Sequence, residues 1–400
     1  MPPPPFAVEQ WMNKYETTAK YNLAETCCAP LSLTALAALS ETPSTPASLL
    51  DLKAPLTYGE IPGSLPLRTN LSRLYSSKGN APLPPDNILI TPGAIAANFT
   101  VFYALIGKGD HVVCHYPTYQ QLYSVPASLG AEVSLWKSRE DKGWLPDFEE
   151  LKALVRDDTK LIVLNNPQNP TGAILPPPLL HQITALAASK NIPILSDEVY
   201  RPLFHSITPL SPSFPPSLLS LPYTNTITTG SLSKAYSLAG IRVGWLASRN
   251  PALIARCAEA RDYTTIAVSQ LDQQIAAFAL SPAVIHGLLG RNIQLARTNL
   301  DLLERFVLKH EEFCSWTRPV AGTTAFIKFS REGRAVDSES FCRALQANTG
   351  VMFLPGTAFG AEWKGYVRVG FVQEEGVVRE GLEEVRKFMR RLFDDVPLAA

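Results

Sequence analysis

What this sequence lacks narrows it first. No apolar run approaches the ~20 residues that a membrane-crossing helix needs, and the opening stretch MPPPPFAVEQWMNKYE has neither the charged nor the apolar part of a signal peptide. A soluble, cytoplasmic protein is the expectation. Net charge is lacking too: 36 basic and 36 acidic side chains cancel. No whole-protein field draws the chain to nucleic acid or to an anionic membrane, and neither is expected as a partner. The six cysteines (Cys27, Cys28, Cys114, Cys257, Cys314 and Cys342) show no CxxC spacing. They read as free thiols of a reducing compartment, and no metal is expected. No internal repeat is visible.

What is there is ordinary globular composition, 46% hydrophobic and 18% charged over 400 residues, enough for two or three domains. Within 87–246 short apolar runs (NILI, HVVCHYP, AEVSLW, KLIVLNNP, IPILSDE, TITTGS, RVGWLAS) alternate with helix-like stretches. That alternation predicts a mostly parallel sheet between helices, an α/β architecture. Beyond about residue 282, two long amphipathic stretches flank the β-like runs TTAFIKF and YVRVGFV, which predicts a smaller α+β unit. Residues 206–225 are rich in Pro and Ser and predict an irregular surface loop.

Residues that follow the strands of such a sheet are the first candidates for chemistry. GSLSKAYSLAGIRVGW places Lys234 between two apolar runs, with Ser231, Ser233 and Arg242 near it. A lysine that forms a Schiff base needs a partly desolvated pocket that lowers its pKa, and an adjacent phosphate needs hydroxyls and a guanidinium. NNPQNPTG after KLIVL is a turn by its Pro and Gly content. LSDEVY ends another buried run on two acids, Asp197 and Glu198. TPGAIA joins a strand to a helix, where free N–H groups bind phosphate. YVRVGF sets Arg368 inside an apolar strand, and a buried guanidinium calls for an anion such as a carboxylate.

Taken together these segments, from about Tyr58 to Arg368, resemble the class I aminotransferases, fold type I enzymes that use pyridoxal 5′-phosphate (PLP). The resemblance implies Lys234 as the residue that holds PLP as a Schiff base, and Arg242 with Ser231 and Ser233 at its phosphate. Gly93, Ala94 and Ile95 match the family's phosphate loop, and Asn169 and Tyr200 the pair at the phenolic oxygen. Asp197, in preference to Glu198, matches the acid at the pyridine nitrogen. In YPTY it implies Tyr119 as the ring stacked on the cofactor, with Tyr116 as fallback. Arg368 is implied for the substrate α-carboxylate. Tyr58 in YGEIPG matches the tyrosine that reaches the phosphate of a neighbouring subunit, which implies a homodimer with shared sites. The domains expected are a large PLP-binding domain at 51–285, a small C-terminal domain at 286–400, and an arm at 1–50 that packs on the small domain.

One segment departs from a plain aminotransferase. Tyr21-Asn-Leu-Ala-Glu25 resembles the corresponding part of 1-aminocyclopropane-1-carboxylate synthases, which act on S-adenosylmethionine. That places Glu25 near the substrate's Cα–Cγ region or against a cationic substrate. Transfer of an amino group from an L-amino acid to a 2-oxo acid is the leading expectation. The alternatives are α,γ-elimination, cyclisation or γ-substitution, and a catalytically silent PLP-fold binding module. No arginine lies between Arg261 and Arg291 to take the distal carboxylate of a dicarboxylic substrate, which disfavours aspartate.

Overall fold

The computed structural model describes residues 2–76 and 82–399. Among them, eight strands form the main sheet, in the order Ile88–Thr91, Gly244–Ser248, Thr226–Ser231, Ile194–Asp197, Thr159–Asn165, His111–Tyr116, Glu132–Arg139 and Leu145–Pro146. All seven apolar runs become strands. They are short, and several are rich in β-branched residues, which suits a sheet covered on both faces better than a helix. Side chains alternate as a period of two requires. Val112, Val163 and Leu195 pack in one apolar cluster, while Val113, Ile162 and Ile194 pack in another.

The five strands from Thr226–Ser231 to Glu132–Arg139 run parallel. Helices such as Gln121–Ser128 and Pro177–Ser189 lie between them in sequence, and Ala94–Leu105 precedes the first. Gly244–Ser248 differs, because it is antiparallel to both neighbours. A parallel return needs a crossover of a dozen or more residues, usually a helix. Between Ser231 and Gly244 the chain forms only a short turn at Ala239–Ile241, so it comes back in the opposite sense.

The C-terminal part begins with the helix Pro282–Lys309, opened by a proline in its first turn, where the missing N–H costs nothing. An antiparallel sheet follows, in the order Cys314–Trp316, Thr324–Arg331, Tyr366–Gly370, Leu354–Pro355. The helix Glu375–Arg391 packs against the helices Pro282–Lys309 and Ser338–Thr349 and buries Val378, Leu382, Val385, Phe388 and Met389, one apolar stripe at helical spacing. Each such side chain contributes roughly 1.5–3 kcal/mol by leaving water.

The N-terminal segment lies on this second sheet's side. Tyr21–Asn22 pairs in parallel with Val351–Met352, and Trp11 Nε1 donates to the carbonyl of Phe353 at 2.9 Å. The start of its helix, Ala7–Tyr15, also reaches the main sheet's helices, where Ala7 N–H donates to Gln120 Oε1 at 2.8 Å. The helix therefore spans the gap between the two parts. Residues 206–225 are irregular as expected apart from a turn at Leu218–Ser220, but Leu218, Leu219 and Leu221 are buried, so the end of that loop is core rather than surface. Among the described residues no helix is long and apolar enough to cross a membrane.

Candidate active site

Asn165, Asp197 and Ser231 are the last residues of three strands of the parallel sheet. Strand ends at the carboxyl edge are where an open α/β sheet presents ligand-binding groups. All three line one cavity of about 340 Å³, together with Lys234, Asn169, Tyr200, Tyr119, Arg242 and Arg368.

Lys234 follows Ser231 by a tight turn in which Ser233 N–H donates to Ser231 Oγ at 3.0 Å. Its Nζ donates to Thr26 Oγ1 at 2.7 Å, lies 3.5 Å from Cys27 Sγ, and is 3.9 Å from Glu25 Oε1. The expectation of a lowered lysine pKa fails for the free amine. Burial does push it down, but Cys27, Glu25, Tyr200 and Tyr119 outweigh burial and hold it above its ordinary value. Burial also pushes the Glu25 carboxyl up, yet Lys234 and the N–H groups of Cys27 and Thr26 bring it below the usual range. Lys234 and Glu25 thus stabilise each other's charge. Cys27, pushed up to about 11 chiefly by burial, stays a thiol.

At one side of the lysine stand Ser231, Ser233 and Arg242, with Ala94 and Ile95. Arg242 sits at φ 52°, in the left-handed region. A non-glycine residue there costs about 1–3 kcal/mol and is retained where surroundings or function require it. Its Nη1 donates to Ala239 O at 2.9 Å and to Ser233 Oγ at 3.4 Å. Gly93 caps the helix Ala94–Leu105 at φ 85°, and a Cβ there would come within 2.7 Å of Arg242 Nη2. A Cβ on Gly244 would come within 2.5 Å of Ala94 N. Only glycine at both places lets the guanidinium approach the helix start, whose first N–H groups have no partner within the helix. A cation, two hydroxyls and free N–H groups make an anion site.

Across the lysine, Asp197 is buried, 4% exposed. Oδ2 accepts from Asn98 Nδ2 at 2.9 Å and Oδ1 from Val199 N–H at 3.0 Å. Burial raises its pKa, against the pull of Asn98, Val199 and Lys234. Such a group is completed by a cationic or N–H-bearing partner. Glu198, the competing acid, faces a different cavity: Oε1 accepts from Ser217 Oγ and Leu218 N–H at 3.1 Å, and Arg201 Nε is 3.4 Å from Oε2. Tyr119 lines the site, whereas the Tyr116 hydroxyl donates to the carbonyl of Phe359 and the residue is not part of the cavity wall.

Arg368 enters from the second sheet, in the strand Tyr366–Gly370, and is 3% exposed. Nη2 donates to Ala24 O at 2.8 Å and Nη1 to Asn169 Oδ1 at 3.4 Å, while Nε is buried without a partner. An orphan donor on a buried cation is a place for an anion. Glu25 lines the cavity beside it. Tyr58 does not join the site within one chain; it is 77% exposed.

Several lining residues carry no sequence signal of their own, among them Glu9, Met12, Thr26, Cys27, Asn98 and Gln121. Asn98 had the only visible cue, a buried amide in a mostly apolar helix. It bridges Asp197 to Thr229, whose Oγ1 donates to Asn98 Oδ1 at 2.7 Å. Asn98→Ala is expected to cost about 1–3 kcal/mol of stability, because Thr229 and Asp197 each lose a buried partner, and to raise the cofactor's Kd about tenfold. Denaturant unfolding and cofactor titration check this, and an unchanged Kd contradicts a positioning role.

The donor set fits PLP: an anion site for its phosphate, a buried carboxyl for its ring nitrogen, an amide and a phenol at Asn169 and Tyr200 for its phenolic oxygen, and an amine at Lys234 for its aldehyde. The family model described as aminotransferase class I and II matches residues 30–385. Capreomycidine synthase of Streptomyces vinaceus is 31% identical over 304 residues, 76% of this chain and 75% of that protein. Among solved structures, a PLP-dependent aminotransferase from Streptococcus suis is 40% identical with a TM-score of 0.88, covering 98% of this chain and 99% of that one. A PLP-dependent cyclase is 26% identical with a TM-score of 0.84, covering 98% of each chain. Fold, donor set and relatives agree, and the chain belongs to the aminotransferase class I and II family, as a fold type I enzyme that works with pyridoxal 5′-phosphate.

Proposed function

We propose that the enzyme transfers the amino group of an L-amino acid to a 2-oxo acid. The observation that carries this is the orphan Nε of buried Arg368 in the same cavity as the Lys234 amine and Asp197. A carboxylate receptor next to an amine is what an α-amino acid requires. Arg242, Ser231, Ser233 and the N–H groups of Ala94 and Ile95 would hold the phosphate, with Gly93 allowing the close approach. Tyr119 would contact the ring, Asn169 and Tyr200 would bond the phenolic oxygen, and Asp197 would hold the proton at the ring nitrogen. Bound there, PLP supplies an electron sink for the bond broken at the substrate's Cα. Arg368 would orient the α-carboxylate, and the Lys234 amine, in the same cavity, would act as the base that moves the proton at Cα. Thr26 Oγ1 and Cys27 Sγ accept from that amine and fix its position.

Leu56, Tyr58 and Ile61 are exposed, as are Ile95, Tyr103 and Tyr263. Their segments are tied together: Arg261 donates to Ile61 O and Gln270 to Thr57 O. Apolar side chains on linked segments of this kind mark an association surface, which supports a homodimer in which Tyr58 serves the partner's phosphate site. Six free cysteines, five of them buried, support a reducing, cytoplasmic setting. The large domain is taken as 51–285 and the small domain as 286–400, with 1–50 as an arm on the latter.

Glu25 in the cavity wall, with a cyclase among the structural neighbours, favours a second reading in which the same site cyclises its substrate or expels a γ-group. Mixing holoenzyme with one amino acid and no acceptor distinguishes them. Transfer yields one equivalent of 2-oxo acid per site, and turnover only when a second 2-oxo acid is added. A cyclised or γ-eliminated product without 2-oxo acid overturns the proposal.

A further inference from the structure

The charges around the cavity do not balance once the cofactor and an α-carboxylate are placed, and this rests on the reading of the cavity as an amino-acid site. In that reading Arg242 meets the phosphate, Asp197 the ring nitrogen, Lys234 the aldehyde and Arg368 the substrate carboxylate. Three carboxylates in the wall are left: Glu9, Glu16 and Glu25. Glu9 belongs to the helix Ala7–Tyr15 and Glu16 to the turn Glu16–Thr18 that continues it, the segment that bridges the two sheets' sides. Both are exposed at the rim, and Glu9 Oε1 accepts from the Tyr119 hydroxyl at 3.0 Å. Glu25 is deeper. Its Oε1 accepts from the N–H groups of Thr26 at 2.6 Å and Cys27 at 2.8 Å, which fixes the carboxylate in place.

An acidic cluster alone binds nothing in particular. Here a second observation orients the ligand: the unpartnered Nε of Arg368 marks where the anionic end of the substrate goes. The same wall contains Val8 and Met12, both buried, which offer apolar contact between the anchored end and the acidic rim. A pocket that runs from a lone guanidinium past apolar side chains to several carboxylates complements a molecule with a carboxylate, a methylene chain and a cation. It opposes a dicarboxylate, since among the described residues the lining has no cation besides Lys234, Arg242 and Arg368.

We infer that the amino donor carries a positive charge at the end of its side chain, a guanidinium or an ammonium as in arginine or lysine, and that Glu9, Glu16 and Glu25 select it over neutral and acidic amino acids. Opposite charges near a protein surface interact strongly enough for discrimination but are screened by salt, so the preference narrows as ionic strength rises.

The test titrates holoenzyme with L-arginine, L-norleucine and L-glutamate, following the cofactor's absorbance. L-Arginine is expected to half-saturate at a concentration at least tenfold below L-norleucine, with L-glutamate weakest. The double variant Glu9→Gln with Glu16→Gln, at exposed positions that tolerate change, lowers the arginine-to-norleucine ratio about tenfold, and 0.5 M salt lowers it in the wild type. If norleucine or glutamate binds as well as arginine, or if the double variant keeps the wild-type ratio, the inference falls while the amino-acid reading stands. If none of the three perturbs the absorbance, the amino-acid reading itself falls with it.

Discussion

Lys234→Ala lowers turnover by about two to four orders of magnitude, the range lost with a positioned proton-transfer group, while the melting temperature stays within a few degrees of wild type. The size follows from the two tasks the proposed mechanism gives one amine, the covalent tie to the cofactor and the movement of the Cα proton. The small stability effect follows from its surroundings. The Lys234 side chain is partly exposed, and its partners are a threonine hydroxyl at 2.7 Å and a thiol at 3.5 Å, neither of which is left charged by its loss. Glu25 does lose its cation, so its carboxyl rises toward or above the ordinary value in the variant. Single-turnover kinetics with excess cofactor measure the effect, and added methylamine restores part of the rate if the missing piece is an amine base. A variant with more than a tenth of wild-type turnover contradicts both tasks.

Asp197→Asn gives the second large effect, about 10²–10³-fold in kcat/KM. The amide has nearly the same shape but one oxygen in place of two, so it keeps an acceptor for only one of the donors Asn98 Nδ2 and Val199 N–H, a smaller loss than that of the charge. What is lost is the negative charge that holds a proton at the ring nitrogen. Removing one partner of a buried hydrogen-bonded charge pair costs about 2–5 kcal/mol, which spans that range of rates. Of the adjacent acids Asp197 and Glu198, Asp197 is the one that lines the site, since Glu198 is turned into another cavity by Ser217, Leu218 and Arg201. Glu198→Gln therefore leaves the cofactor's spectrum unchanged, whereas Asp197→Asn shifts it. The reverse outcome assigns the ring nitrogen to the wrong acid.

The elements that could be read from sequence were those set by local pattern. Seven apolar runs gave seven strands, and the amphipathic stretch EGVVREGLEEVRKFMRRLF gave the helix Glu375–Arg391. Lys234, Arg242, Asn169, Asp197 and Arg368 stood out because their segments are recognisable strings, and the structure brings all five to one cavity. What could not be read depends on pairing at a distance. Asn98 meets Asp197 across 99 positions, and Glu9 meets Tyr119 across 110. Nothing near Glu9 in the chain marks it, because its place over the cavity comes from the Trp11 bond to Phe353 and the Ala7 bond to Gln120. The direction of Gly244–Ser248 was hidden for the same reason, since strand sense is settled by the connection and the neighbours rather than by the run itself. The raised pKa of Lys234 was misjudged because burial was visible in the sequence while the partners Glu25 and Cys27, more than 200 residues earlier, were not.

The proposed chemistry depends on Lys234 as the residue that carries the cofactor. Borohydride reduction of the holoenzyme followed by peptide mapping tests it directly. One reduced cofactor per chain is expected, attached to the peptide that contains Lys234 and to no other lysine. A cofactor that remains removable after reduction, or a label on a different lysine, contradicts it.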